Sequence, residues 1–266
     1  MFSTLISTEE LAPLVGRPDV VICDVRHELA QPDAWGEAQY RAGHIPGAVF
    51  VHLDRDLSAA KTGTNGRHPL PAPETAAALF GRLGIADGKQ VVAYDQRGGM
   101  FAARLWWMLH WLGFDAAAVL DGGFAKWTAE GRATATDAVV PGLAAFRVGR
   151  VTPTVNASGI MASLARQRLF LIDARAEERF RGETEPMDPV AGHIPGAHNR
   201  PYTLNLNADG TFKHPAFLRA EFTALLDGEP HELVVHQCGS GVTACHNLLA
   251  MEVAGMGGTR LYPGSW

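Results

Sequence analysis

Short apolar runs alternate with longer amphipathic stretches along the whole chain. Val20 to Cys23, Val91 to Tyr94 and Ala117 to Leu120 have the length and bounding residues of buried strands. Pro73 to Leu83 and Phe101 to Leu112 have helical spacing. Near the far end, Leu233-Val234-Val235 predicts another buried strand, and Ala244 to Ala250 predicts the start of a helix. Such alternation builds βα units around a parallel sheet, so the pattern predicts an α/β fold. In these sheets ligand sites form at the carboxyl ends of the strands.

The pattern also repeats. Ala42-Gly43-His44-Ile45-Pro46-Gly47-Ala48 returns as Ala191-Gly192-His193-Ile194-Pro195-Gly196-Ala197, an offset of 149 residues. The same offset relates Val21-Ile22-Cys23-Asp24-Val25-Arg26 to Leu171-Ile172-Asp173-Ala174-Arg175. Val91 to Gln96 matches Leu233 to Gln237 at an offset of 141, which gives the first half eight extra residues. A period this long means a duplicated domain rather than a solenoid unit. We place the first domain at 1–135, a linker rich in Ala, Thr, Val, Gly and Pro at 136–153, and the second domain at 154–266. Leu120-Asp121-Gly122-Gly123-Phe124 aligns with Tyr262-Pro263-Gly264-Ser265-Trp266.

Composition narrows the field. A length of 266 residues with 47% hydrophobic and 19% charged residues fits an ordinary globular protein of one or two domains. The net charge of −5 offers no support for nucleic-acid or polybasic membrane binding. Three cysteines are too few for a disulfide framework, and free thiols favour a reducing compartment, the cytoplasm. Met1 to Ser7 lacks the basic and apolar regions of a signal peptide, and no apolar run reaches membrane-spanning length.

The most chemically suggestive segment is His236-Gln237-Cys238-Gly239-Ser240-Gly241-Val242-Thr243-Ala244. It puts Cys238 between a strand and a helix, in a loop of small residues. Gly239, Ser240, Gly241, Val242 and Thr243 can aim backbone N–H groups at one point, and the helix adds its positive end. A thiol there is expected to ionise more readily than a free one, with its pKa of roughly 8.5. The corresponding stretch of the first half, Asp95-Gln96-Arg97-Gly98-Gly99-Met100, has no cysteine, so only the second half can perform thiol chemistry at this loop. Cys23 lies in an apolar strand and reads as core. Cys245 reads as helix packing, with a resolving thiol as the alternative. A cysteine-dependent phosphatase would need an arginine six positions after the cysteine; that position is Ala244.

Taken together, the duplicated Gly-His-Ile-Pro-Gly-Ala, the Cys238 loop, Asp121 to Phe124 and the Tyr262 to Trp266 tail resemble the tandem-domain rhodanese-type sulfurtransferases over nearly the full length. The resemblance implies two similar α/β domains, each a mainly parallel sheet flanked by helices, with only the second catalytic. It implies a 3-mercaptopyruvate or thiosulfate sulfurtransferase. Cys238 takes the outer sulfur of a donor as a persulfide and passes it to cyanide or a thiol, including a thioredoxin-like protein, without metal or organic cofactor. A non-catalytic rhodanese-like binding module is the alternative, disfavoured by the intact loop. Arg179 matches the family's substrate-binding arginine, with Arg181 as a neighbouring, more surface-like candidate. The neutral Gly239-Ser240-Gly241 resembles the 3-mercaptopyruvate type. A second arginine common in that type is missing from Pro186-Met187-Asp188-Pro189. Asp54 and His68 resemble residues that some members use beside the loop, and Arg67 is expected to add positive charge for an anionic donor. Ser240 is expected to bond the donor or the leaving group. His44 and His193 read as turn locks, not as a metal pair, because both halves carry them in the same motif. Leu105 to Trp111 reads as helical core and domain-interface packing.

Overall fold

The computed structural model describes residues 1–31, 33–164 and 168–266. The chain forms two compact units. Met1–Ala59, Leu70–Thr152 and Ala208–Thr211 make the first; Ala60–Pro69, Pro153–Asn207 and Phe212–Trp266 make the second. The boundary drawn from the sequence leaves residues 60–69 in the first half, whereas the structure groups them with the second.

In the first unit the strands are β1 (Leu5–Ile6), β2 (Val20–Asp24), β3 (Val49–Phe50), β4 (Gln90–Tyr94) and β5 (Ala117–Leu120). Its helices are α1 (Thr8–Leu11), α2 (Trp35–Ala42), α3 (Pro73–Arg82), α4 (Ala102–Trp111) and α5 (Gly123–Ala129). The sheet runs β1-β5-β4-β2-β3 with every pair parallel. The elements expected in this half form with ends within one residue of the sequence reading. Pro73 opens α3, where its missing N–H costs nothing. All of α4 but His110 is buried, and Trp107 stacks on Trp111 at 5.7 Å, so the aromatic run is core. Residues 138–156 carry no helix or strand. Within that stretch, Ala144 and Gly149 are tied to the first unit through N–H donation to the Gly81 and Leu112 carbonyls, at 2.9 and 2.8 Å.

The second unit contains β6 (Phe170–Asp173), β7 (His198–Asn199), β8 (Val234–Gln237) and β9 (Arg260–Leu261). With them come α6 (Ala157–Leu164), α7 (Glu177–Phe180), α8 (Pro215–Leu226) and α9 (Thr243–Val253). Its parallel sheet runs β7-β6-β8-β9. Every residue of β8 is buried, as a strand covered on both faces should be. Among the described residues, no helix is long and apolar enough to cross a membrane.

Strand register corrects the alignment of the halves. Tyr94 pairs with Asp24, and Gln237 pairs with Asp173. Tyr94 and Gln237 are therefore equivalent, 143 residues apart rather than 141, and the first half's excess over the 149-residue offset is six residues, not eight. A slip of two preserves the alternation of faces along a strand, so apolar pattern alone could not detect it. The consequence is that Asp95, not Arg97, stands where Cys238 stands. Backbone bonding agrees: Phe124 N–H donates to the Asp95 carbonyl at 2.9 Å, and Trp266 N–H donates to the Cys238 carbonyl at 3.0 Å.

His236 sits in β8 with neither ring nitrogen hydrogen-bonded to a described residue. Burial, helped by the nearby Arg200 charge, pushes its pKa down to about 3. The unfolded chain takes up a proton near pH 6.5 that the folded chain refuses, so stability present above that pH is lost as pH falls toward 3. The loss approaches about 1.4 kcal/mol per pH unit. Thermal unfolding measured from pH 7.5 to 4.5 should show the wild type losing more stability than His236→Leu, which removes the titrating group.

Candidate active site

β8 delivers the chain to Cys238, and α9 begins five residues later at Thr243. Between them the backbone folds back on the sulfur. Ser240 and Gly241 donate their N–H groups to Cys238 Sγ at 3.4 and 3.1 Å. Gly241 makes this turn with φ +76°, and a Cβ there would lie 2.7 Å from the Pro263 carbonyl oxygen, so only glycine fits. Val242 is buried and accepts the Cys245 N–H through its carbonyl. Cys245 Sγ contacts the Gly241 carbonyl at 3.3 Å, which makes it part of the loop's packing. Of the five loop residues expected to aim N–H groups at one point, Ser240 and Gly241 do so on the sulfur, Ser240 through its backbone.

One contributor was not anticipated. Ser265 accepts the Cys238 N–H on Oγ at 3.1 Å, lies 4.0 Å from Sγ, and bonds the Tyr262 carbonyl. Its φ is +58°, matching +60° at the equivalent Gly123. The alignment already paired this serine with a glycine; a side chain kept at a glycine position was the signal.

The first unit has the same turn with a different occupant. The Asp95 carboxylate accepts N–H bonds from Arg97, Gly99, Phe101 and Ala102 at 2.7–3.1 Å. Burial pushes this carboxyl up to about 6, against the pull of those four donors. A carboxylate thus fills the cradle of the first half where the second half has a thiol.

Beside Cys238, the loop is faced by charged side chains. A Cβ on Gly239 would come within 2.4 Å of Arg67 Nη2, 3.2 Å of Asp188 Oδ2 and 3.4 Å of Arg179 Nη2. Arg67 Nε donates to Asp188 Oδ1 at 2.8 Å, and Arg179 Nη2 donates to Asp188 Oδ2 at 2.8 Å. Arg179, from α7, also grips Glu185 through Nη2 and Nε at 2.7 and 3.2 Å. Burial alone would raise the Glu185 carboxyl, but Arg179 and the N–H groups of Asp188 and Met187 outweigh it and hold it low. Arg179 is thus not the isolated clamp the sequence led us to expect. Met187 Sδ lies 3.8 Å from Arg179 Nη1, and Asp188, passed over in the sequence as part of a missing motif, is the centre of the cluster. Arg181 pairs with Glu177 and Glu183 on the surface.

His68 is buried and belongs to the second unit, while Asp54 belongs to the first, where it lies 3.7 Å from His27. His27, His52 and Asp54 come close enough to suggest a metal. However, His52 Nδ1 accepts the Asp54 and Arg55 N–H groups, and Nε2 faces the Asp33 carbonyl at 3.0 Å. With both His52 nitrogens engaged, the set keeps fewer than the three protein ligands of a usual metal site. His44 and His193 bond the Tyr40 and Phe180 carbonyls and stack on those rings, which supports the turn-lock reading.

Comparison with known proteins accords with this geometry. The rhodanese-like domain model matches residues 7–130 and 157–266. A Pseudomonas aeruginosa protein named "Probable 3-mercaptopyruvate sulfurtransferase" is 46% identical, over 98% of this chain and 93% of its own length. The bovine thiosulfate sulfurtransferase is 34% identical, over 86% of this chain and 77% of its own. Among solved structures, Escherichia coli SseA, described as a 3-mercaptopyruvate sulfotransferase, superposes with a TM-score of 0.85 at 32% identity, covering 100% of this chain and 99% of that one.

Gly241→Ala should disrupt the cradle. The positive φ costs about 1–2 kcal/mol, and the methyl collides with Pro263. The expected outcome is a lower unfolding midpoint together with slower alkylation of Cys238, read by mass spectrometry.

Proposed function

The chain belongs to the rhodanese family of sulfurtransferases, and on that footing we propose that it moves sulfur from 3-mercaptopyruvate to a thiophilic acceptor through a persulfide on Cys238. The observation that carries this reading is the sulfur at the strand end with two backbone N–H groups aimed at it. Those donors suit an anion, whether thiolate or persulfide.

In the first step the Cys238 thiolate attacks the donor's sulfur. The S–S bond forms as the donor's C–S bond breaks, and the bonding pair stays with carbon. That carbon takes up the proton released from the donor thiol, so pyruvate leaves and Cys238 holds an anionic persulfide. In the second step cyanide or a thiol attacks the outer sulfur, leaves as thiocyanate or a new persulfide, and returns Cys238 to the thiolate. Arg179 and Arg67 recognise the donor's carboxylate, since guanidinium donors match its oxygens. Ser240 and Thr243 complete the loop around the sulfur, and His68 is assigned a supporting role with the donor. A reducing compartment such as the cytoplasm suits an enzyme whose working group is a free thiol, and a small thiol or thioredoxin-like protein suits it as acceptor.

Thiosulfate is the second reading. Two guanidiniums face Gly239, and the bovine relative carries that donor in its name.

Cys238→Ser should fold normally and lose at least a thousandfold in turnover, because a hydroxyl forms no persulfide. Intact mass after donor treatment should rise by one sulfur atom in the wild type, and cyanide should remove it. An unchanged mass during measurable turnover would contradict the covalent route.

A further inference from the structure

Six ionised side chains form one alternating chain beside the reactive loop: Arg67, Asp188, Arg179, Glu185, Arg175 and Asp173. Successive contacts run 2.8, 2.8, 2.7, 3.5 and 2.7 Å. Three positive charges meet three negative ones, so the chain is neutral as a whole. It is also graded by depth. Asp173 and Arg175 are fully buried at the strand end, Glu185 and Asp188 are nearly so, and only Arg179 and Arg67 reach solvent, at 16% and 27% exposure. The exposed end of the chain is therefore the end that meets Gly239.

Asp188 is the residue that decides what an approaching ion encounters there. Its Oδ2 receives Arg179 at 2.8 Å and Arg67 at 3.3 Å, beside Gly239, the residue that follows Cys238. A carboxylate bridging two guanidiniums has the charge and shape of a small bound anion. Without it, two guanidiniums beside Gly239 would favour a dianion. With it, the second positive charge is cancelled. The position is held firmly, because Asp188 also donates its own N–H to Glu185 at 2.9 Å.

We infer that Asp188 is the specificity-determining residue for donor charge. It tunes the site to monoanionic mercapto-carboxylates and penalises dianions such as thiosulfate. This rests on the sulfur-transfer reading above and adds to it a reason why one class of donor is preferred. Beside a neutral cluster and a thiolate, a dianion lacks a counterpart for one more charge than a monoanion does. Removing the Asp188 charge supplies that counterpart, and removing the Arg67 charge takes another away. At separations of a few ångströms near a protein surface, one unit charge is enough to change relative affinity by about tenfold or more.

The test compares kcat/KM for thiosulfate and for 3-mercaptopyruvate in wild type, Asp188→Asn and Arg67→Gln, with cyanide as the acceptor. Asparagine keeps one oxygen to bridge the guanidiniums, so the loop should stay in place, and unfolding midpoints check this. The thiosulfate-to-mercaptopyruvate ratio should rise about tenfold in Asp188→Asn and fall about tenfold in Arg67→Gln. A merely structural role would depress both donors together and leave the ratio where it was. An unchanged ratio in both variants, while Cys238 still gains sulfur by mass, would overturn the inference and leave the sulfur-transfer reading standing. If neither donor loads Cys238 in the wild type, that reading fails and takes the inference with it.

Discussion

Backbone N–H groups gathered at the end of a central parallel strand create a small region of positive potential with nowhere to send it. Helix N-termini leave such donors unsatisfied by construction, and a buried one is costly until something accepts from it. Each unit of this protein meets that demand with a different group. In the first, the Asp95 carboxylate takes four donors and the cradle is closed. In the second, Cys238 Sγ takes two. Sulfur is a weak acceptor, so the cradle of the second unit remains better served by an anion than by a neutral thiol. The two copies differ in which side chain answers the same backbone, a carboxylate in one and a thiol in the other.

The ion chain beside the loop answers a different constraint. Several of its members are buried, and a buried charge without a partner is destabilising by several kcal/mol. The alternation of arginine and carboxylate removes that penalty link by link from the β6 strand end outward. Arg175 shows how tightly the inner links are set. It holds Asp173, donates to the Gly192 carbonyl at 2.7 Å, and lies 5.3 Å from the Trp266 ring. Arg26 repeats the arrangement in the first unit, with Asp24, the Gly43 carbonyl and Phe124. The outer links, Glu185, Asp188 and Arg67, are additions to this inherited core.

Much of the architecture was legible because it rests on local patterns. Buried parallel strands, the opening proline of α3 and the doubled Gly-His-Ile-Pro-Gly turn all declare themselves in short windows. Cys238 was legible for the same reason: strand, small-residue loop and helix are contiguous. What escaped depends on register or on distant partners. The Asp95 equivalence was hidden by a two-residue slip that leaves every face unchanged. Arg179 looked unencumbered because its partners, Glu185 and Asp188, gave no periodic signal. Asp188 itself lies in Pro186-Met187-Asp188-Pro189, a segment that stood out only for a missing arginine. Ser265 was visible only as an oddity against Gly123, and its meaning required the sulfur's neighbours.

The grouping of Ala60–Pro69 with the second unit bears on how this chain can be taken apart or recombined. Duplication normally yields cassettes that can be exchanged, shuffled or expressed singly. Here the second copy draws ten residues, Arg67 among them, from a stretch that lies between β3 and α3 of the first. A gene cut at the linker would hand the downstream fragment its cysteine and all three carboxylates of the cluster but not its outermost guanidinium. The two halves have thus become heritable only as a pair, and a swap of the upstream half between relatives would alter the electrostatics of a site whose nucleophile was never touched.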